Sequence, residues 1–357
     1  MNNKKKIGVL TFHNGPNFGG YMQAWHMVNA VRELGYDCCA VNYLHKAHDE
    51  GNQIKIPLKS IAALKGKIFW ALKSRPFKGI GDTICEHPYT TNEENVPWSE
   101  FDAFIVGSDI VWDYQDPHFG NDPAYFGMLE GQKEIPIASY AASCGPASPD
   151  GPFPNYVKNG LKRFKNIGVR DPATASLVKN ASGRNSTIVV DPTWLADDPE
   201  IEWARKPSEK YVFVYGGKVD EKLGPALRSY CDKRGLELVS ALTSCRWANK
   251  TYRSLHPFQW VELFKNAEAT AIVGTLHGTL FSIKYNKPFI LINGERIAPK
   301  ITEVMNRSGQ GFRVFNPGEV GVDELRILDC DEAEVPKIPE DWKASSLEFL
   351  KQALASG

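Results

Sequence analysis

Ala269-Thr270-Ala271-Ile272-Val273-Gly274-Thr275-Leu276-His277-Gly278-Thr279-Leu280-Phe281 decides how this chain folds. Its first five residues are apolar or β-branched and too few for a helix, so they read as a buried strand. Gly274 ends that strand, a helix is expected over 279–285, and a further strand over 288–292. A strand that passes through small residues into a helix presents unpaired backbone N–H groups and the positive end of the helix dipole, which suits phosphate or carboxylate. His277 stands in this turn, where an imidazole can give or take a proton near neutral pH. A lone histidine is more often structural. Its place between small residues at the carboxyl edge of a sheet makes His277 the first catalytic candidate, with Thr275, Gly278 and Thr279 as substrate-binding neighbours.

The same punctuation recurs on either side. The run 7–12 ends in His13-Asn14-Gly15-Pro16-Asn17-Phe18-Gly19-Gly20; Ala24, Met27, Val28, Val31 and Leu34 then recur at helical spacing, and 38–43 reads as a second strand. That is a βαβ unit. Strands at 101–106, 136–141, 166–169 and 186–190 lead into Gly107-Ser108-Asp109, Ala142-Ser143-Cys144-Gly145, Arg170-Asp171 and Asp191-Pro192. Apolar strands that end in small, polar or acidic residues and alternate with helices predict a parallel sheet with its sites at the carboxyl edge. After the polar, proline-bearing stretch 197–210 a second set begins: strand 211–215, helix 223–234, strand 236–242 and helix 259–266, leading to the quoted stretch. The expected fold is α/β, with two Rossmann-like domains and a cleft between them: 1–205, 206–325 carrying the His277 turn, and a tail 326–357 whose helix near 342–354 packs back on one domain or the other.

At 357 residues the chain exceeds what one core usually fills, and 42% hydrophobic against 24% charged residues is ordinary for a globular protein. Lys plus Arg and Asp plus Glu are both 42, so no net field gathers nucleic acid and none is expected as a partner. The seven cysteines are odd in number, scattered, and without a C-x-x-C pair. They predict neither a disulfide framework nor a zinc knuckle, and fit a reducing cytoplasm. The apolar run after the basic N-terminus is too short for a signal peptide, and no run approaches a transmembrane span. No metal site is evident.

Beside His277, three loops carry candidate chemistry. Asn17, Gly19 and Gly20 let a ligand approach backbone closely, although the spacing is not that of a dinucleotide fingerprint. Ser108 and Asp109 place a hydroxyl and a carboxylate at a strand end, Asp109 as base or hydroxyl-orienting group, although Ser and Asp also cap helices routinely. Arg170 can fork onto carboxylate or phosphate, while Asp171 caps the helix that starts at Pro172. Cys144 is a conceivable nucleophile, though most free cysteines are packing residues.

One segment stands apart. From Gly51 to Gly81 there are seven Lys or Arg and no Asp or Glu, interleaved with Ile, Leu, Phe69 and Trp70. A solvated helix packed on its own domain is the favoured reading; peripheral contact with an anionic bilayer surface is the other.

Taken in order, Gly15-Pro16-Asn17-Phe18-Gly19-Gly20-Tyr21-Met22-Gln23-Ala24, Gly107-Ser108-Asp109-Ile110-Val111-Trp112, Ser139 to Gly145, Gly168-Val169-Arg170-Asp171, Asp191-Pro192-Thr193 and Leu276-His277-Gly278-Thr279-Leu280-Phe281-Ser282 resemble the polysaccharide pyruvyl transferase family. The resemblance runs from about 7 to 295. It implies a GT-B-like pair of domains that moves pyruvate from phosphoenolpyruvate onto two hydroxyls of a sugar as a cyclic ketal, in capsule, exopolysaccharide or cell-wall glycan synthesis. It implies no cofactor beyond that donor substrate, and a sugar acceptor; if a polyprenyl diphosphate carries that sugar, the segment 51–81 acquires a use in holding the enzyme at the inner membrane face. His277 matches the family histidine. Many members have an arginine two residues before it where this chain has Thr275, so the anion contact falls to Arg170 and the glycine turns. Two alternatives stay open: a nucleotide-sugar-dependent glycosyltransferase on the same plan, and a non-catalytic glycan-assembly protein.

Overall fold

The computed structural model describes residues 4–52, 61–118, 121–129, 131, 135–243, 245–294, 298–330 and 334–355. Two compact units divide the chain: Met1–Lys55, Phe77–Asp197 and Glu340–Gly357 make the first, Ile56–Pro76 and Asp198–Pro339 the second. The division falls after Asp197 rather than near 205. Asp198 is held inside the second unit, its carboxylate 2.6 Å from the Lys284 ammonium and accepting from the Tyr285 hydroxyl at 2.5 Å.

The first unit is built on β1 (Lys6–Leu10), β2 (Asp37–Ala40), β3 (Ala103–Val106), β4 (Ile137–Ala142), β5 (Ile167–Val169) and β6 (Thr187–Ile188). All the pairings are parallel and the order is β2-β1-β3-β4-β5-β6. Helix α1 (Phe18–Glu33) joins β1 to β2. Beyond β2 comes α2 (Lys46–Asn52); α3 (Ile61–Ser74) follows it in the chain but falls in the second unit, and α4 (Asn155–Arg163) and α5 (Pro172–Ser182) return to the first. Strands β1 to β5 are buried along almost their whole length, as a sheet covered on both faces requires, and only the short edge strand β6 is not. Because β2 lies on one side of β1 and β3 on the other, the chain reverses direction across the sheet between β1 and β3. Their carboxyl ends flank that switch point, where open α/β sheets open a crevice for ligands.

The second unit repeats the plan. Its strands are β7 (Tyr211–Gly216), β8 (Glu237–Ala241), β9 (Lys250–Tyr252), β10 (Ala269–Val273), β11 (Phe289–Ile292) and β12 (Val314–Phe315), its further helices α6 (Leu223–Arg234), α7 (Pro257–Lys265), α8 (Leu276–Lys284) and α9 (Ala298–Ser308). The order β12-β11-β10-β7-β8-β9, again parallel, puts the switch point between β7 and β10. An aromatic layer fixes α7 and α8 to this sheet. The rings of Tyr215 and Trp260 lie 5.1 Å apart, Trp260 and Phe281 5.1 Å, and Phe213 and Phe264 4.9 Å, spacings at which edge-to-face pairs add to simple burial.

The last helix, α10 (Glu340–Ala355), belongs to the first unit. Trp342 Nε1 donates to the Ile188 carbonyl at 3.1 Å and Ser346 Oγ accepts from Val190 N at 3.0 Å. The helix thus satisfies backbone that the short β6 leaves unpaired. Composition had left its destination open because polar groups on an edge strand are invisible in a hydrophobic pattern.

Candidate functional site

Both switch points carry the loops singled out from sequence. In the first unit, Asn17 is the N-cap of α1 and its side chain accepts from Gly20 N at 3.1 Å. Asn17 is exposed while Gly19 and Gly20 are buried. One of the N–H groups at the start of α1 is therefore already answered by the chain itself.

The loop after β3 lies beside this turn and is locked to it by a residue the sequence did not nominate. Gln23, fully buried on α1, donates to Thr11 Oγ1 at 2.9 Å and to the Phe12 carbonyl at 3.1 Å, and accepts from Ser108 Oγ. Thr11 Oγ1 donates to the Ser108 carbonyl at 2.9 Å. The Ser108 hydroxyl is thus spent on Gln23, which ties the ends of β1 and β3 together. Gly107, at φ 109°, has no room for a side chain: a Cβ there would lie 2.4 Å from the Tyr140 carbonyl oxygen. Asp109 follows at φ 74°, a left-handed conformation that Asp tolerates better than most residues, and its Oδ1 accepts from Ile110 N at 2.9 Å. Asp109 caps none of the helices among the described residues. Its carbonyl accepts from Ser143 N at 2.9 Å, and Val111 and Trp112 behind it are fully buried, with Trp112 Nε1 donating to the Tyr125 carbonyl at 2.8 Å.

Arg170, expected to face an anion, is only 2% exposed. Its guanidinium lies 3.8 Å from Asp109 Oδ1 and 3.3 Å from Asp191 Oδ2, so two carboxylates already surround it. Asp191, noticed in sequence only as part of a motif, also accepts from Thr193 N at 3.1 Å and Thr193 Oγ1 at 2.9 Å. Ser143 donates to Asp171 at 2.7 Å, and Asp171 caps α5 by accepting from Thr174 N at 2.8 Å, as its position before Pro172 predicts. Cys144 is buried, and burial pushes its thiol up to about 12, the Thr174 hydroxyl pulling it partly back. A thiol held protonated in that way makes a poor nucleophile.

In the second unit α8 begins at Leu276, earlier than the expected 279, so His277 lies inside the first turn of the helix. Thr275 occupies the N-cap position with extended backbone, yet its side chain makes no capping hydrogen bond. Thr275 Oγ1 is buried with no hydrogen-bond partner among the described residues, and Gly278 gives it room: a Cβ at 278 would come 2.5 Å from that oxygen. Thr279 is buried, and its hydroxyl donates back to the Thr275 carbonyl at 3.1 Å. His277 is half-buried. Across the switch point Gly216 sits at φ 118°, where a Cβ would be 2.1 Å from the Val273 carbonyl oxygen, and Gly217 N donates to that oxygen at 2.8 Å.

The candidates therefore fall into two groups. Asn17, Gly19, Gly20, Ser108, Asp109 and Arg170 gather at the carboxyl edge of the first sheet, and Thr275, His277, Gly278 and Thr279 at that of the second. Among the described residues one cluster has the side chains of a metal site, Cys39, Glu86 and His87, whose ligand atoms lie within 4.8 Å of one another. The Lys6 ammonium stands 2.8 Å from Glu86 and already balances its charge.

A family model described as polysaccharide pyruvyl transferase matches residues 17–296, from the N-cap of α1 to beyond β11. No curated protein matches the chain. Among solved structures the chain is similar to the UDP-GlcNAc 2-epimerase of Methanocaldococcus jannaschii, at 12% identity over 99% of this chain and 100% of that one, with a TM-score of 0.52. It is also similar to S. aureus MnaA in its co-structure with UDP, at 13% identity over 96% and 92% with a TM-score of 0.51. Medicago truncatula UGT71G1 complexed with UDP-glucose follows at 12% identity over 100% and 99%, with a TM-score of 0.50. At such identities the likeness concerns the fold, which is GT-B-like.

Proposed function

Because the chain belongs to the polysaccharide pyruvyl transferase family, we propose that it moves the pyruvyl group of phosphoenolpyruvate onto two hydroxyls of one glycan sugar as a cyclic ketal. The product would enter a capsule, exopolysaccharide or cell-wall polysaccharide made on the cytoplasmic side. The reaction balances without a cofactor. A proton adds to the methylene carbon of the donor and makes C2 electrophilic; a sugar hydroxyl adds to C2; the C–O bond to phosphate breaks; the neighbouring hydroxyl closes the ring. Of the two hydroxyl protons released, one replaces the proton given to the methylene carbon and the other leaves with phosphate.

The observation that carries the donor assignment is the contrast between the two helix starts. The Asn17 side chain caps α1, whereas the Thr275 side chain leaves the start of α8 without its cap. A donor bearing a carboxylate and a phosphate therefore suits the α8 N-terminus, where backbone N–H groups and the helix dipole favour negative charge. His277 in that first turn supplies the proton or stabilises the departing phosphate, and Thr275 Oγ1 offers a neutral donor where the family arginine would stand. The first unit takes the acceptor, with Asp109 orienting or deprotonating a sugar hydroxyl. Arg170, enclosed by Asp109 and Asp191, acts as a positioning residue that keeps Asp109 aimed.

Phosphate release from phosphoenolpyruvate with acceptor present tests the assignment. His277→Ala should abolish release while circular dichroism shows the fold intact, and near-normal turnover would refute the role. Phosphoenolpyruvate, and not UDP-glucose, should raise the melting temperature; the reverse would favour a nucleotide-sugar enzyme.

A further inference from the structure

The basic segment is the sequence feature that the proposed reaction leaves unused. Within it α3 (Ile61–Ser74) turns one side outward: Leu64 is 47% exposed and Ile68 53%, with Lys67 and Ala71 exposed beside them. Positions 64, 67, 68 and 71 are spaced i, i+3, i+4 and i+7, so they share one face of the helix. Arg75 and Lys78 continue the positive charge just beyond it and are also exposed. Phe69, Trp70, Leu72 and Lys73 are half-buried, with the Lys73 ammonium 5.8 Å from the Trp70 ring. The expectation is a solvated helix packed on its own domain; the half-buried Phe69, Trp70 and Leu72 agree with packing on one side, and Leu64 and Ile68 are exposed.

We propose that α3 is a membrane-surface helix that docks on an anionic lipid bilayer, Leu64 and Ile68 entering the boundary between headgroups and acyl chains while Lys67, Arg75 and Lys78 engage the headgroups. Charge selects this occupant. The stretch 51–81 holds seven Lys or Arg and no acid in a chain that is neutral overall. Two copies meeting through this face would set like charge against like, whereas an anionic leaflet complements it. Resting on the reading of a glycan acceptor, such a helix fits a substrate presented on a lipid.

The test is sedimentation of the full chain, without donor or acceptor, with vesicles of phosphatidylglycerol and phosphatidylcholine in equal parts and with vesicles of phosphatidylcholine alone. Its outcome is thus independent of the pyruvyl transfer reading. Wild type should sediment with the anionic vesicles only, and salt should release it. Lys67→Gln/Arg75→Gln/Lys78→Gln should weaken partitioning about a hundredfold, taking roughly fivefold for each cation near the surface. Leu64→Ser and Ile68→Ser should each weaken it about fivefold, since each leaves roughly half a side chain to be buried. Unchanged melting temperatures would show that these exposed substitutions leave the fold alone. Absence of wild type from the anionic vesicles would overturn the proposal. So would a serine double variant that binds as well as wild type, or a lipid-free dimer that the serine variants convert to monomer.

Discussion

Replacing Arg170 with Met removes the cation between Asp109 and Asp191 and leaves the rest of that edge in place. At an effective dielectric of about 20, the attractions at 3.3 Å and 3.8 Å are each about 4–5 kcal/mol before desolvation is charged against them. Much of that gain is offset by the transfer of the guanidinium into a site where it is 2% exposed. The net worth of the intact cluster is therefore small, while breaking it is costly. Two carboxylates left facing a buried methionine should destabilise the first unit by about 3–5 kcal/mol. The double variant Arg170→Met/Asp191→Asn separates this cause from lost packing, because the substituted amide keeps an oxygen for Thr193 N and removes one of the stranded charges. It should recover at least half of the loss. Urea unfolding read by amide hydrogen exchange in β4 and β5 reports on the first unit alone. A loss below about 1 kcal/mol, or a double variant less stable than Arg170→Met, would refute the reasoning.

Other perturbations test other parts of the structure. Gly216→Ala places a methyl 2.1 Å from the Val273 carbonyl oxygen at φ 118°, so it should lower the melting temperature and displace the turn at Thr275; an unaltered transition in the second unit would contradict that geometry. Gln23→Ala leaves the Ser108 hydroxyl without its acceptor and takes the donor from Thr11 Oγ1 and the Phe12 carbonyl, and should cost about 1–3 kcal/mol in chemical denaturation, with Gln23→Glu no better. Burial pulls the buried His13 and His48 below their ordinary values; for His48 the hydrogen bond to the His118 carbonyl and the carboxylates of Asp109 and Asp49 oppose that, while the charge of the His118 ring adds to it. The unfolded chain therefore binds more protons than the folded one as pH falls through about 6.5, and stability should decline from there until the folded-state values are passed. His48→Asn should make that decline shallower in melting curves taken between about pH 7 and 5. Cys144, buried with its thiol pushed up to about 12, should resist alkylation in the native protein and react once urea unfolds it.

The sequence determined the alternation of strands and helices, the parallel sheets and the turns at their carboxyl edges. These follow from apolar runs punctuated by Gly, Pro and Asp, which act locally and can be read without coordinates. His277, Asp109 and the glycine loops were legible for the same reason. The tertiary structure decided what spatial neighbours impose. Strand order places the β1 and β3 loops, and the β7 and β10 loops, side by side at two switch points. The helix starts differ, one capped by the Asn17 side chain and the other left without a cap by Thr275. Arg170 looks like an open anion receptor in the linear sequence and is enclosed by carboxylates far from it in sequence, one of them on Asp191. Gln23 stood in the sequence only as part of a motif, with no role assigned, because its partners Thr11 and Ser108 meet it only when β3 inserts beside β1. Hydrophobic periodicity records which face of an element is buried, and the pairing of polar groups distant in sequence becomes visible only when the sheet has assembled.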